Sequence, residues 1–497
     1  MFPAKFTFDV NATPSCPSDF AVFPVNVTGS GTQPNIVAFN NLYSGSAGST
    51  GKCNRASTGN DVGNSATVYW SYNVNKIAGA VTTSPSISFD SVGGKVAFVE
   101  SAAGQAAHFH VLAWKAGDGK AAKLQSVASP VQITSFVTTN PVVGSGTATD
   151  LALGTATTGT DTLSSPYIDY TDDVAYVGND AGVLFRILNV FCTSTACGGA
   201  APSLDMSWGT GGGLQVCTGK LTGPVLNFVN FNVYVGCSDG KLYSVSQSGA
   251  ITSMVVGDGT SKTFGGIVDP PIVDSVNGFI YAVSGSASNG ANGVLVQALP
   301  DFSSSVAVPV GEGNVCNLHS PTPNNAYFTS ITSAGAMMFI GGVSGGTVPN
   351  NCIGTSNGSG AVALYGITFT STGVITSGAP AKTLGLGGGP GYEFAPMTEF
   401  FNSTTGTDWL FYSAIQSGQT NFASSNITAG FPTAFTAVKE GIGTSGIIVD
   451  NNASTTTFPQ AASIYFNALH QNAGCNNNTV ISDTGGCAVK LTQAGLN

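Results

Sequence analysis

The chain has 497 residues, 42% of them apolar and only 8% charged, with a formal net charge of −10 at pH 7. Apolar content this high excludes a disordered chain, and 15 Lys and Arg are too few to neutralise a nucleic-acid backbone or to form a polybasic membrane patch. Gly, Ser or Asn interrupts every apolar stretch, so no run reaches the roughly 18 apolar residues of a spanning helix.

Met1-Phe2-Pro3-Ala4-Lys5 lacks the apolar core of a secretion signal. With ten cysteines in the chain, the expectation is a leader removed before this numbering begins. Four strands follow: Lys5-Phe6-Thr7-Phe8-Asp9-Val10, Asp19-Phe20-Ala21-Val22-Phe23, Asn35-Ile36-Val37-Ala38-Phe39 and Val68-Tyr69-Trp70-Ser71-Tyr72. Together residues 1–80 form or close one blade-sized unit, and residues 81–497 supply the others.

From residue 84 onward a phrase recurs. A small or turn-forming residue plus Pro opens a short apolar strand, a turn follows, and a second strand comes after it. Its copies begin at Ser84-Pro85, Ser165-Pro166, Gly223-Pro224, Asp269-Pro270, Ser320-Pro321 and Ala395-Pro396, with a degenerate Ser445-Gly446. Subtracting positions gives intervals of 46 to 81 residues, the size of a four-stranded propeller blade with loop insertions. Pro is tolerated at the first position of a strand, where its missing N–H breaks no ladder bond. The second strands, such as Val174-Ala175-Tyr176-Val177-Gly178, Val233-Tyr234-Val235-Gly236 and Ile280-Tyr281-Ala282-Val283, are apolar on both faces. Such strands lie between two neighbours. The fold class is therefore all-β, a single β-propeller of seven or eight four-stranded blades, with eight the better count. The last unit shows three strands, ending in Cys487-Ala488-Val489-Lys490-Leu491-Thr492, so one terminus is expected to lend a strand to the other. The Pro-led phrase and the cysteines argue against a transmembrane barrel.

The order Val-Tyr-Val-Gly, then Ser238-Asp239-Gly240-Lys241-Leu242-Tyr243-Ser244-Val245, with Met206-Ser207-Trp208-Gly209 before it, resembles the PQQ-like β-propeller repeat. Residues 84–99 resemble the TolB-type repeat, and the chain as a whole is similar to a group of secreted bacterial propeller proteins that carry no assigned activity. The first resemblance implies a propeller and raises a quinoprotein dehydrogenase. Such enzymes share an adjacent Cys-Cys pair and a calcium site of Glu, Asn and Asp. This chain has no Cys-Cys pair and shows no such constellation, so no cofactor is expected.

The ten cysteines read as nearest-neighbour disulfides: Cys16 with Cys53, Cys192 with Cys197, Cys217 with Cys237, Cys316 with Cys352 and Cys475 with Cys487. Sequence alone does not determine connectivity. A Cys-x-x-Cys motif is absent and only four His occur, against a zinc cluster. His108 and His110 share one strand face. They are half of a metal set at most and are expected to face solvent. Glu393, Glu399 and Asp408 are the nearest approach to a hydrolase carboxylate pair, and the plainer reading makes them turn and rim residues. Asp172, Asp173, Asp180 and Asp239 fall in turns that form for backbone reasons, without an Asp-x-Asp-x-Asp-Gly calcium loop. Sequons stand at Asn11, Asn26, Asn357, Asn402, Asn426, Asn452 and Asn477.

These features lead to a non-catalytic propeller outside the cell or on its surface, structural or adhesive, whose expected partner is itself. Lys5, Phe6, Thr7, Phe8, Asp9 and Val10 are the candidate strand for donation to a neighbouring subunit, which would build a filament. The competing reading is a glycan- or peptide-binding propeller, or a hydrolase or quinoprotein-like enzyme, using the central channel.

Overall fold

A computed structural model describes residues 2–6, 14–43, 53, 66–89, 93–120, 127, 129–154, 160–192, 197–288, 290–344, 361–376, 382–388, 395–416, 419–441, 444–451, 462–468 and 487–492. The protein is an all-β propeller of eight sheets, each antiparallel and built from strands consecutive in the chain, apart from additions at two outer edges. Blade 1 holds Ala4–Lys5, Ala21–Pro24, Ile36–Asn40 and Thr67–Val74. Val131–Ile133 adds to its outer edge in parallel. Blade 2 holds Ser86–Ile87, Val96–Glu100 and Ala107–Ala113, with Thr147–Ala148 and Leu151–Leu153 sharing its outer edge. Blade 3 holds Tyr167–Asp169, Val174–Gly178 and Val183–Leu188, edged by Ser203–Leu204 and Gly213–Gln215.

Blade 4 is Val225–Leu226, Val233–Gly236, Lys241–Val245 and Ile251–Val255. Blade 5 is Ile272–Asp274, Phe279–Ser284, Asn292–Ala298 and Ser305–Glu312. Blade 6 is Thr322–Pro323, Met337–Ser344, Ala361–Thr368 and Lys382–Gly388. Its first two strands are separated by a one-turn helix, Asn325–Thr329. Blade 7 is Thr398–Asn402, Thr407–Gln416, Gln419–Asn426 and Thr436–Gly441. Blade 8 is Ile448–Asn451, Ala462–Ala468 and Cys487–Thr492. No described helix is long and apolar enough to cross a membrane.

The two-faced apolar strands have their explanation in the seams. Side chains alternate across a strand, so Tyr176 enters the cluster shared with blade 4, while Ala175 and Val177 enter the one shared with blade 2. Val233 and Val235 likewise face blade 3, and Tyr234 faces blade 5. Each of the eight seams holds one such apolar cluster.

The Pro-led phrases form the innermost ring, where the first strands of successive blades touch. Hydrogen bonds link several successive phrases. Ser84 N donates to Ser165 Oγ at 2.9 Å, Ser320 Oγ to Pro270 O at 2.7 Å, Thr322 Oγ1 to Met397 O at 2.8 Å, and Thr398 Oγ1 to Ile447 O at 2.7 Å. Phe2-Pro3 is a further copy that the sequence reading did not count. It opens blade 1, and Phe2 N donates to Ser84 Oγ at 2.7 Å. Its ring also explains the degenerate copy: a Cβ at Gly446 would collide with the Phe2 ring. Pro cannot occupy that position in this packing.

Among the described residues no strand passes between blades 1 and 8, and the remainder of both termini, on which the expected loan of a strand depends, lies outside them. Blade 1 keeps its own N-terminal strand, with Ala4 opposite Val22 and Lys5 opposite Ala21. The seam is closed by side chains instead. Lys5 Nζ pairs with Asp450 Oδ2 at 3.2 Å, both buried, Asn467 Nδ2 donates to Pro24 O at 3.3 Å, and Tyr465 packs into the blade 1 cluster.

Candidate functional site

The first and second strands of blade 7 form a hairpin in which Phe401 lies opposite Asp408 and Glu399 opposite Leu410. Alternation places Glu399, Phe401, Asp408 and Leu410 on one face, and Leu410 packs toward blade 6. Glu399 and Asp408 adjoin diagonally across the hairpin, and Glu399 Oε1 and Asp408 Oδ1 are both buried without a donor from elsewhere among the described residues. Burial, reinforced by the proximity of Asp408 and by its charge, raises Glu399 to about 9. Burial raises Asp408 as well. Two like charges this close cannot both ionise cheaply, so the pair holds one proton at neutral pH.

Asp408 is fixed from both sides. Its Oδ2 accepts from the backbone N–H of Asn325 at 3.0 Å, and its own N–H donates to Thr428 Oγ1 at 2.8 Å. Asn324 caps the short helix, its Oδ1 accepting from Tyr327 N at 3.1 Å and from Met337 N at 3.0 Å. Between this helix and blade 7 lies a cavity of about 450 Å³ lined by Asn325, Ser333, Phe401, Asp408, Thr428 and other residues. Neutral amides and hydroxyls dominate its polar wall. Of the three carboxylates grouped from sequence, Glu399 and Asp408 meet here. Glu393 lies outside the described residues. Asn325 and Thr428 were not singled out from sequence, and no local pattern marks either.

His108 and His110 do not face solvent, which corrects the expectation from sequence. His108 is 8% exposed and His110 0%. His108 Nδ1 meets Asp150 Oδ1 at 2.6 Å, and His110 lies between Thr149 O at 2.9 Å and Glu100 Oε2 at 3.1 Å. Both ring nitrogens of His110 lie within hydrogen-bond distance of protein oxygens, so neither is turned toward an open metal position. Burial alone would raise Glu100. Bonds from His110 and from the Gly79 and Lys76 amides outweigh it and hold Glu100 below its ordinary value. Burial acts the same way on Asp150, and contacts with His108 and Lys76 overcome it, bringing that carboxyl down to about 2. The cluster anchors residues 76–79 to blade 2.

The turn aspartates serve the backbone. Asp173 accepts from Phe191 N and Cys192 N, both at 2.8 Å. Asp180 accepts from Thr162 N at 3.0 Å and pairs with Lys220 at 3.1 Å, while Asp239 accepts from Lys241 N at 3.0 Å. Asp172 stands exposed. A repeated feature passed unnoticed in the sequence: Asp169, Asn227, Asp274 and Asn402 each accept from the backbone N–H two residues on. They hold the turn after the first strand of blades 3, 4, 5 and 7. Asn402 is 1% exposed in that role, which removes it from the accessible sequons.

Cys16 is bonded to Cys53, Cys192 to Cys197 and Cys217 to Cys237. The last bond joins blade 3 to blade 4 and leaves no free thiolate beside Asp239, although the three ligand atoms form a close group. Cys316 is also disulfide-bonded. Cys352, Cys475 and the Cys487 side chain lie outside the described residues. Of the candidate donated strand, Lys5 and Phe6 are engaged within the chain. Phe6 N donates to Phe20 O at 2.9 Å, and the two rings stack. Thr7, Phe8, Asp9 and Val10 lie outside the described residues.

No protein-family model matches the chain, and no curated protein matches it. Among solved structures, BamB from Moraxella catarrhalis is similar at 13% identity and TM-score 0.38, covering 93% of this chain and 95% of that one. The Dos1 propeller is similar at 10% identity and TM-score 0.42, covering 78% and 80%. At these identities the likeness concerns the fold alone.

Proposed function

We propose that this protein is a non-catalytic propeller that acts outside the cytosol as a structural or adhesive component and associates with itself, up to filaments. The observation that carries this reading is where the few ionisable groups stand. Lys5–Asp450, Arg186–Asp205, Lys220–Asp180 and His319–Asp269 each bind one part of the ring to another, and Glu399 and Asp408 face each other. Titratable side chains so placed hold strands and seams together. Disulfides at Cys16–Cys53 and Cys217–Cys237 add a reason for an oxidising compartment. The test is expression through a secretion leader, followed by electron microscopy of the released, non-reduced protein. Ordered assemblies are expected, and discrete single rings at high concentration would refute self-association.

A second reading has one observation in its favour. The cavity beside Asp408, with Asn325, Thr428 and the Phe401 ring, offers neutral hydrogen-bonding groups and an aromatic edge to a glycan. A glycan array with the wild type and Asn325→Ala decides it: binding that the substitution removes supports a glycan partner.

A further inference from the structure

In blades 2 to 6 the turn after the first strand carries an exposed large apolar residue, Phe89, Tyr170, Phe228, Val276 and Phe328, and in blade 7 Phe401 stands near the end of the first strand at 36% exposure. Val276 is 94% exposed, Phe89 78% and Phe328 65%. The first strands of these blades touch along the inner ring and each begins an antiparallel blade built in the same inner-to-outer order, so they run alike. All six turns therefore emerge on one face of the ring. Blade 4 adds Val229 at 70% and Phe231 at 54% exposure. Scattered apolar residues on a surface need no explanation, but a contiguous patch marks an interface.

The chemistry of the patch selects its occupant. In blades 4 to 7 the turns spanning 227–232, 275–278, 324–336 and 403–406 contain no Asp, Glu, Lys or Arg. A charged partner would leave its ions desolvated and unpaired against this arc. A second copy of the chain has a formal charge of −10, and this uncharged arc is where two copies can approach without burying like charges. Large side chains offer ~150–200 Å² each, so at the recorded exposures the six residues of blades 4 to 7 present roughly 650 Å². That lies within the range around ~800 Å² that each partner contributes to a standard interface.

We propose that two copies of the propeller pair face to face through this apolar arc, a self-complementary contact with a two-fold axis. The inference rests on the self-association reading above and names its surface. Asp169, Asn227, Asp274 and Asn402 brace the turns, so the arc is ordered before pairing.

Sedimentation velocity on the full chain tests it, with Val276→Glu and Phe328→Glu singly and together. Both side chains are exposed, so thermal unfolding of the monomer is expected unchanged. The wild type is expected to form dimers at micromolar concentration, each single variant to weaken them at least about ten-fold, and the double variant to be monomeric. Dimers or larger assemblies indifferent to both substitutions refute this surface and leave self-association standing. A wild type monomeric at about 100 µM refutes self-association itself. Capture of the wild type, and not the double variant, on neutral phosphatidylcholine vesicles assigns the face to lipid and overturns the pairing.

Discussion

Between blades 3 and 4 the seam is filled from both sides. Tyr176, Leu184 and Trp208 meet Leu226, Val233, Val235 and Val245, and the Cys217–Cys237 bond crosses it. Between blades 8 and 1 the apolar cluster comes from blade 1 and its flanking segments, with Tyr465 as the one described contribution from blade 8. That seam carries a buried ion pair, Lys5–Asp450, instead. The contrast follows from connectivity. Cys217 and Cys237 are 20 residues apart, whereas Lys5 and Asp450 are roughly 445 apart, and closing the longer loop costs about 3 kcal/mol more. Where the chain itself brings neighbours together, general apolar burial suffices. Where it does not, a directional pair fixes which surfaces meet.

The largest effect is expected from breaking the terminal seam. Lys5→Met removes the cation from the buried Asp450, whose Oδ2 also accepts from the Tyr465 hydroxyl at 3.3 Å, and should destabilise by about 3–5 kcal/mol in chemical denaturation at pH 7. Adding Asp450→Leu should recover most of the loss, because the buried carboxylate deprived of its cation, rather than the missing attraction, causes it. A single variant as stable as wild type would remove the ion pair from the comparison. Replacing Cys217 and Cys237 by Ala should cost about 3 kcal/mol, the value for a loop of this length, with blade 3 and blade 4 amides exchanging first.

The seam between blades 6 and 7 sharpens the comparison with pH. Glu399 is raised in the folded protein to about 9 from an ordinary 4.5. Its stabilisation is therefore fully present below about pH 4.5 and is lost as pH rises toward 9. Glu399→Gln keeps a neutral donor toward Asp408 and removes this slope. Unfolding free energies should diverge progressively from pH 5 toward pH 9, with the variant the more stable at the alkaline end. Parallel curves would rule out the shared proton. The smallest effect belongs to the inner ring. Ser165→Ala removes the acceptor for Ser84 N and should cost about 1 kcal/mol, since the other links remain.

Much of this architecture was legible in local pattern. Pro before a short strand, Val-Tyr-Val-Gly after a turn, and apolar residues on both strand faces follow from strand periodicity and proline's missing donor. They led to a propeller of seven or eight blades, and the structure has eight. Phe2-Pro3 obeys the same rule but was read only as the start of the chain. The candidate site was half legible: Glu399 and Asp408 stand nine residues apart across one hairpin, within reach of a local reading. Asn325, which binds Asp408 from blade 6, was not.

Strand alternation, the inner-ring phrase and the scarcity of charge are written in the order of the amino acids. Which charges meet depends on the packed ring. His108 and His110 share a strand face in either view, but Glu100 and Asp150, brought in by other strands and loops, turn that face into a buried network. Lys5 reaches Asp450 only because eight similar sheets curve into a closed ring. Periodicity records which side of a strand a residue takes. Contact across a seam depends on the accumulated twist and packing of every blade between, and no short stretch of chain contains that sum.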